Sequence, residues 1–169
     1  MIDQKEFVKK LTDNDVCFFT GVPDSYLNDF CMEILHSIPK EKHVIAANEG
    51  NAVALAAGYC FGRGGVPLVY MQNSGMGNAV NPLVSLCDKN VYSVPMVLVI
   101  GWRGPGEESH PQHKVQGEIT TKLLDDMNIP YVVLSEENAM QAAEWAPNTA
   151  KENGLNAIQS AKDANAAAV

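Results

Sequence analysis

Short apolar runs alternate with longer segments of helical periodicity along this chain, and that alternation limits its possible folds more than any other feature. The segment from about Asp24 to Leu35 and the segment Gly117–Asn128 carry apolar side chains three and four residues apart, and a first helix is predicted over Asp3–Asn14. Five runs rich in β-branched or aromatic residues separate such segments: Cys17–Thr20, His43–Ala46, Val66–Met71, Pro95–Ile100 and Pro130–Leu134. Uniformly apolar strands separated by helices are typical of a parallel sheet with helices on both faces. The sequence therefore predicts an α/β fold built from repeated βα units.

Composition and charge narrow the class of protein. The 169 residues suffice for one domain, and 12 basic against 20 acidic residues give a formal net charge of −8, which argues against a nucleic-acid-binding face. No apolar run approaches the roughly 18 residues that span a bilayer, and the first residues lack the apolar stretch of a secretory signal. The 4 cysteines lie far apart in apolar stretches, so we expect buried free thiols and neither a zinc site nor a disulfide scaffold. These features predict a cytoplasmic protein that binds neither nucleic acid nor membrane.

The last part of the chain has a weaker pattern. A helix is predicted over Glu136–Trp145, and Pro147 is expected to interrupt it. Residues 146–169 are rich in alanine and asparagine and show no clear apolar stripe, so they are interpreted as a helical end or a truncated linker. The predicted domain accordingly spans residues 1–145.

The first candidate site residues follow the first apolar run. Parallel α/β sheets bind ligands at the carboxyl ends of their strands, so the loops at those ends are where functional side chains are expected. The sequence Gly21-Val22-Pro23 indicates a tight turn, and Asp24 or Ser25 follows it directly. These two residues either cap the next helix or lie at the rim of a ligand crevice.

Glu49 is the only carboxylate between Val44 and Phe61, and it stands at the head of a helix made largely of small residues. It either complements the helix dipole or shares protons at a buried interface. The Ala47–Tyr59 segment is otherwise uncharged, which favours close packing against a neighbouring element or a second subunit. We expect a homodimer or a higher oligomer through this helix.

The loop Gln72–Asn78 combines side-chain amides with small residues and backbone N–H groups. Its Gly-x-Gly lacks the full six-residue spacing of a dinucleotide fingerprint, because Val80 stands where the last glycine belongs. The loop is interpreted as a close backbone approach to a flat ligand or as a tight turn.

A second loop, over residues 101–114, is unusually long for a compact domain without secondary structure of its own. Arg103 and Lys114 are candidates to hold an anionic substrate, since a guanidinium can bind an oxyanion through two hydrogen bonds. His110 and His113 either move protons or are solvated loop residues. No cluster of residues has the spacing of a metal site.

Four stretches of the chain resemble one enzyme family: Phe18–Ser25, Ala46–Tyr59, Val69–Gly75 and Ile100–Gly104. Over about residues 1–145 and in one register, they are similar to the N-terminal domain of phosphonopyruvate decarboxylases and, more loosely, to the alpha chains of sulfopyruvate decarboxylases. Both groups are thiamine-diphosphate-dependent decarboxylases. The resemblance implies a pyrimidine-binding (Pyr) domain, a three-layer α/β/α sandwich with a six-stranded parallel sheet. Because the periodicity indicates five strands, the sixth must come from the tail or from a segment that the pattern does not reveal.

The resemblance also implies roles for individual residues. A glutamate at the position of Glu49 hydrogen-bonds N1′ of the cofactor's aminopyrimidine in this family, and so favours the tautomer that activates the thiazolium ring for attack on a 2-keto acid. By position, four residues are expected to line the pyrimidine pocket: Gln72, Asn73, Ser74 and Gly75. Others are expected at the substrate end, Asp24 and His113 as catalytic residues and Ser25 and Arg103 as substrate-binding residues, with Arg103 on the phosphonate.

One part of the family pattern is missing. The Gly-Asp-Gly motif of the diphosphate-binding domain, which holds Mg²⁺ and the diphosphate of the cofactor, does not occur in this sequence. The chain is therefore expected to supply half of a site, to be inactive alone, and to need a diphosphate-binding domain or a separate beta chain. The expected reaction converts 3-phosphonopyruvate to 2-phosphonoacetaldehyde and CO2, and sulfopyruvate is the alternative small anionic substrate. A non-catalytic doubly wound module for nucleotide binding or assembly is the alternative of another class.

Overall fold

Helices and strands alternate throughout the computed structural model, which describes residues 2–104 and 110–160. The helices are α1 Gln4–Asp13, α2 Asn28–Ser37, α3 Glu49–Arg63, α4 Met76–Pro82, α5 Pro111–Asp126 and α6 Ala139–Asn153. The strands are β1 Val16–Gly21, β2 His43–Ile45, β3 Val66–Gln72, β4 Met96–Gly101, β5 Tyr131–Leu134 and β6 Leu155–Ser160. Over these two ranges no helix has both the length and the apolar character needed to cross a membrane.

The six strands form one sheet in the order β2-β1-β3-β4-β6-β5, and every neighbouring pair is parallel. The carboxyl ends of β2, β1, β3 and β4 therefore lie side by side at one edge of the sheet. That edge carries the loops in which the sequence predicts the functional residues. We call it the carboxyl edge, and the opposite one, where the strands begin, the amino edge.

Two apolar clusters cover the two faces of the sheet. One cluster contains Phe7 of α1, Phe30 of α2 and Ala143 of α6, packed on the strands. The other contains Val53 of α3 and Leu124 of α5, together with residues of α4. Helices thus cover both faces, and the predicted three-layer α/β/α sandwich is confirmed.

The helices and strands of the first hundred residues agree closely with the sequence patterns. The predicted helix over Asp3–Asn14 is α1, with Asp3 as its N-cap: a carboxylate oxygen accepts the Glu6 backbone N–H at 3.0 Å. Each of the first four apolar runs is a strand. In α3, Ala52, Val53, Ala56 and Ala57 are buried, so the small residues of this helix allow it to pack closely on the sheet.

Of residues 146–169, those up to Asn153 form a helical end, as one of the two interpretations expected, but Leu155–Ser160 form a strand, which neither interpretation predicted. Helix α6 continues through Pro147 to Asn153, because Pro147 lies on a buried stripe of small residues that packs on the sheet. Gly154, at a φ of 91°, ends the helix, and its N–H donates to the Ala150 carbonyl at 2.8 Å. The chain then enters the sheet as β6 between β4 and β5. This is the sixth strand, so the fold extends past the predicted boundary at residue 145; residues 161–169 lie outside the described part.

The long loop after β4 is shorter than predicted. Helix α5 begins at Pro111, so His113 and Lys114 belong to its first turn. A proline in the first turn of a helix is favoured, because its missing N–H has no partner there in any case. Of the rest of the loop, residues 105–109 lie outside the described part.

Candidate functional site

Glu49 is the first residue of α3, and the short loop Ala46–Asn48 joins it to the carboxyl end of β2. The Asn48 side chain caps the helix and accepts the Asn51 N–H at 2.9 Å, which fixes the start of the helix at this point. Glu49 Oε2 accepts a hydrogen bond of 2.8 Å from Asn78 Nδ2 in the first turn of α4. Among the residues that the structure describes, the other carboxylate oxygen, Oε1, has no hydrogen bond. The half-buried carboxylate is therefore held through one oxygen, which leaves the other available as a hydrogen-bond acceptor.

Two glycines make room for this carboxylate. A Cβ at Gly75 would overlap the Glu49 carboxyl group, so the glycine allows this side chain to keep its observed position against the loop after β3. A Cβ at Gly50 would lie 2.7 Å from the Asn78 carbonyl oxygen, so the starts of α3 and α4 also approach closely. The loop Gln72–Asn78 therefore approaches Glu49 closely, and the expected approach of its backbone to a flat ligand stays a prediction.

Asn73 has a task that the sequence did not suggest. The residue is buried, and Nδ2 donates to the Arg103 carbonyl at 2.9 Å and to Thr120 Oγ1 at 3.0 Å, while Oδ1 accepts the Arg103 N–H at 3.3 Å. Its amide thus joins the loop after β3 to the loop after β4 and to α5. Both ends of the amide are therefore engaged within the protein, and the expected contact between Asn73 and a cofactor stays a prediction. Its neighbours Gln72, half-buried, and Ser74, exposed, flank it at the same edge.

Asp24 and Arg103 form an ion pair across the carboxyl ends of β1 and β4. Arg103 Nη2 donates to Asp24 Oδ1 at 2.8 Å and to Ser25 Oγ at 2.5 Å. The Asp24 side chain is only 4% exposed and that of Arg103 16%. Asp24 Oδ2 also accepts the Tyr26 N–H at 3.1 Å, and the Arg103 guanidinium lies 4.3 Å from the centre of the Tyr26 ring. Three predicted residues are thus brought together, and Asp24 caps the short helical turn Ser25–Leu27, as one interpretation of this loop expected. Its place at the rim of a ligand crevice stays a prediction.

The first half of α5 packs on the segment that follows β4. Trp102 Nε1 donates to the Gly117 carbonyl at 3.0 Å, and a Cβ at Gly104 would overlap the His113 carbonyl. His113, half-buried, has its ring 5.5 Å from that of His110. The structure therefore places His113 beside the segment that carries Arg103.

A cavity of about 260 Å³ lies next to Asp24 and Ser25, and Cys31, His43 and Tyr70 also line it. His43 Nε2 and the Tyr70 hydroxyl are hydrogen-bonded at 2.9 Å. Burial lowers the pKa of His43, raises the pKa of Tyr70, and raises the pKa of Cys31 to about 11. The cavity therefore offers polar but uncharged groups beside the ion pair.

Sequence reasoning missed the partners of the site residues. Nothing in the sequence marked Asn78, among several nearby amides, as the one that reaches Glu49, or Tyr26 as the ring beneath Arg103. Their only signal was proximity to a motif already singled out. Over residues 2–104 and 110–160, no group of three or more His, Cys, Asp or Glu side chains is arranged to hold a metal ion.

Comparison with known proteins gives a family and a fold. Residues 4–129 match the family model described as thiamine pyrophosphate enzyme, N-terminal TPP binding domain. Benzoylformate decarboxylase from Polynucleobacter necessarius superposes with a TM-score of 0.70 over 95% of this chain and 30% of that chain. At 20% identity, the likeness to that enzyme is one of fold.

Two kinds of curated relative share sequence with the chain. A phosphonopyruvate decarboxylase from Streptomyces viridochromogenes is 41% identical over 126 residues, which are 74% of this chain and 31% of that protein. The alpha subunit of sulfopyruvate decarboxylase from Methanococcus maripaludis is 32% identical over 123 residues, 73% of this chain and 71% of that protein. The chain therefore spans about a third of the first relative and most of the second.

Proposed function

The chain belongs to the thiamine pyrophosphate enzymes, whose N-terminal TPP-binding domain it carries, and from this premise we propose that it supplies the pyrimidine-binding half of a 2-keto acid decarboxylase site. The observation that carries the proposal is the Glu49 carboxylate, fixed through Oε2 and without a hydrogen bond at Oε1 among the described residues. A carboxylate that is fixed through one oxygen can use its other oxygen to hydrogen-bond a ring nitrogen that must exchange a proton.

The residues around Glu49 fit an aminopyrimidine. Gly75 leaves the carboxylate room beside the loop, and a flat ring needs such a close backbone approach. In the proposed site Gln72, Ser74 and Gly75 line the pocket, while Glu49 Oε1 holds the proton shared with the ring nitrogen. Thiamine diphosphate, when bound, supplies a carbon nucleophile and an electron sink for the loss of CO2. Asn73 contributes indirectly, because it holds the adjoining loops in place.

The substrate end of the proposed site is the ion pair. Asp24 and Ser25 hold the Arg103 guanidinium, so an anionic substrate that binds Arg103 must share it with Asp24. We propose that Arg103 takes the phosphonate of the substrate and that Asp24 and His113 serve in proton transfer near the reacting carbon. Because Asp24 is nearly buried, even a small shift of Arg103 toward a ligand changes the electrostatic surroundings of its carboxylate.

The other half of the site is proposed to come from elsewhere. The sequence contains no Gly-Asp-Gly, so a diphosphate-binding domain of the same protein or a separate beta chain would hold Mg²⁺ and the diphosphate. Apolar side chains exposed on β2 and on the outer side of α3 support docking of a further subunit: Val44, Ile45, Leu55 and Phe61. We propose a homodimer or higher oligomer that uses this surface. Sedimentation of the chain as a monomer at about 1 mM, a concentration at which even weak pairs with a Kd near 0.1 mM associate, would contradict it.

Two substrates are proposed in order. The relative from Streptomyces viridochromogenes, the more similar of the two, is named for phosphonopyruvate, so 3-phosphonopyruvate, cleaved to 2-phosphonoacetaldehyde and CO2, comes first. Sulfopyruvate is the second candidate, because the chain covers 71% of an alpha subunit named for that substrate. Both are small anionic 2-keto acids, and both suit an arginine at the substrate end.

The test combines this chain with a diphosphate-binding chain or domain, thiamine diphosphate and Mg²⁺, and follows CO2 release from each 2-keto acid. We expect release from 3-phosphonopyruvate, and a loss of more than about tenfold, 1.4 kcal/mol, in the Glu49→Gln variant. Glu137→Gln, which removes a carboxylate from an exposed turn, is the matched control and should turn over normally.

The outcomes separate the alternatives. Release from sulfopyruvate alone reverses the order of the substrates. Turnover in Glu49→Gln within tenfold of the unchanged chain contradicts the role of Glu49. If neither substrate releases CO2 and no thiamine diphosphate analogue binds, the non-catalytic module is favoured.

A further inference from the structure

A second and larger cavity, of about 960 Å³, opens at the amino edge of the sheet, away from the site at the carboxyl edge. Its walls come from one side of α1, the last residues of α2 and α3, the first residues of β1 and β3, and Lys151 of α6. We propose that this amino-edge cavity binds a phosphorylated organic molecule of about the size of a nucleoside diphosphate.

The wall along α1 shows how the sequence builds the cavity. Lys5, Val8, Lys9 and Thr12 follow one another at spacings of three, one and three, so they share one side of the helix. Val8 is buried and forms part of the floor, while the two lysines are exposed at the rim. Cations thus stand above an apolar base, an arrangement that suits a ligand with both an anionic and an organic part.

Charge is concentrated here against the balance of the whole protein. The chain has a net charge of −8 and 12 basic residues, yet five of these line the cavity, against the single carboxylate of Asp15. Two of the five already have partners: Lys9 pairs with Asp13 and Lys151 with Asp15. The other three, Lys5, Lys42 and Arg63, make no ion pair within residues 2–104 and 110–160. Neighbouring cations repel one another, and a bound polyanion would relieve that repulsion.

Helix dipoles do not account for this cluster. Basic residues are favoured at helix C-termini, which explains Arg63 and Lys151 in the last turns of α3 and α6. Lys5, however, lies in the first turn of α1, where the dipole disfavours a cation. Lys42 belongs to a single short turn, Lys40–Lys42, whose dipole is small. At least two of the three unpaired cations therefore need another explanation.

The size and floor of the cavity define the organic part of the ligand. Sites for small molecules range over about 300–1,000 Å³, and this cavity lies near the upper limit, far larger than phosphate alone requires. Buried Val16, Phe19 and Val66 form apolar surface at its base, and Tyr59 adds an aromatic ring. A phosphate ester with a planar or apolar group fills such a space better than an inorganic anion does.

Cys17 provides a reporter inside the cavity. Its Sγ lies 3.7 Å from the carbonyl oxygens of Gly64 and Val66, at the junction of β1 and β3. Burial raises the pKa of this thiol, and nearby Lys42 partly offsets the rise. A ligand in the cavity should therefore shield Cys17 from alkylation. Cys31, which lines the separate cavity beside Asp24, should be unaffected.

The experiment measures the rate of maleimide labelling at Cys17 and Cys31 of the 169-residue chain by peptide mass spectrometry. The probes are ADP, adenosine and inorganic pyrophosphate, and calorimetry gives their affinities. With ADP at ten times its Kd, fewer than about one cavity in ten is empty, so labelling of Cys17 should slow about tenfold while that of Cys31 stays constant. Adenosine and pyrophosphate should each protect less than ADP at equal concentration.

Variants that remove basic residues test whether the cations of the cavity cause the protection of Cys17 by ADP. The double variant Lys5→Gln/Arg63→Gln should lose the protection by ADP. The matched control, Lys89→Gln/Lys122→Gln, removes two exposed lysines elsewhere and should keep it. Since the comparison is made with and without ADP in each variant, changes in the intrinsic reactivity of Cys17 cancel.

Three results would overturn the proposal. Labelling of Cys17 that ADP leaves unchanged up to about 10 mM, above the range of a specific site, excludes a nucleotide-sized phosphate ligand. Full protection that survives in Lys5→Gln/Arg63→Gln excludes the cation cluster as its cause. Equal protection by pyrophosphate and ADP would show that the organic part of the ligand does not contribute to binding.

Discussion

Asn73 offers the sharpest test of how the carboxyl edge is held together. Replacing it with alanine removes three hydrogen bonds, two to the backbone of Arg103 and one to Thr120 Oγ1. At about 1 kcal/mol of net stabilisation each, the expected loss in the free energy of unfolding is about 3 kcal/mol. The Thr120 hydroxyl still donates to the Gln116 carbonyl, so the main penalty falls on the two Arg103 backbone groups. For a chain of this length, that loss lowers Tm by about 6–12 °C.

Urea denaturation followed by tryptophan fluorescence measures this loss, since Trp102 lies in the segment that Asn73 holds. Ser74→Ala, an exposed neighbour, is the matched control and should change stability by less than about 0.5 kcal/mol. A double-mutant cycle with Thr120→Val should give a coupling of about 1 kcal/mol, because the two side chains are bonded directly. If Asn73→Ala is as stable as Ser74→Ala, the amide does not bridge the loops.

Two further perturbations test the close approach at Glu49 and the buried histidine. Gly75→Ala places a methyl group on the Glu49 carboxylate, so CO2 release by the reconstituted enzyme should fall more than about tenfold, whereas Gly77→Ala, in open space, should leave it unchanged. Burial lowers the pKa of His43 below its ordinary value of 6.5, so the unfolded chain binds more protons below that pH and the stability falls as the solution is acidified. In His43→Gln, urea midpoints measured at pH 7 and pH 5 should therefore differ less than in the unchanged chain, and an equal difference would contradict the assignment.

The sequence was sufficient for most of the fold because its first four apolar runs are rich in β-branched or aromatic residues, and those in β1, β3 and β4 are almost entirely buried. It was insufficient for α6 and β6 because their signals are weak. The buried stripe of α6 consists of alanines and Pro147, which carry little hydrophobic contrast. In Leu155–Ser160, the polar Asn156 and Gln159 interrupt the apolar pattern, although the strand lies inside the sheet. Gly154, a typical helix end before a short apolar run, was the available clue.

The candidate site likewise has one part that the sequence could predict and another that it could not. Glu49 was recognisable from its isolation among small residues, since a single carboxylate in such a segment calls for a reason. The pairing of Asp24 with Arg103 was not, because the two lie 79 residues apart and meet only when β1 and β4 end at the same edge. The bridging role of Asn73 was not recognisable either, because a loop amide that binds a ligand and one that joins two loops look alike in a sequence. Only the packing of α5 against the loops distinguishes them.

The direction of the helices explains why charge alone identifies neither site. In a layered parallel fold each helix begins near the carboxyl edge and ends near the amino edge, so dipoles favour acidic residues at the first and basic residues at the second. Glu49 at the start of α3 and Arg63 at its end both follow that rule. What separates Glu49 from a carboxylate that only complements a dipole is Gly75, whose missing Cβ keeps space for it. The amino-edge cavity extends along α1 from the last turn of that helix to Lys5 in the first turn, a cation at the end where the dipole is unfavourable. The dipoles therefore account for Glu49 and Arg63 but neither for the space that Gly75 keeps nor for Lys5, and the variants Gly75→Ala and Lys5→Gln/Arg63→Gln test these two features.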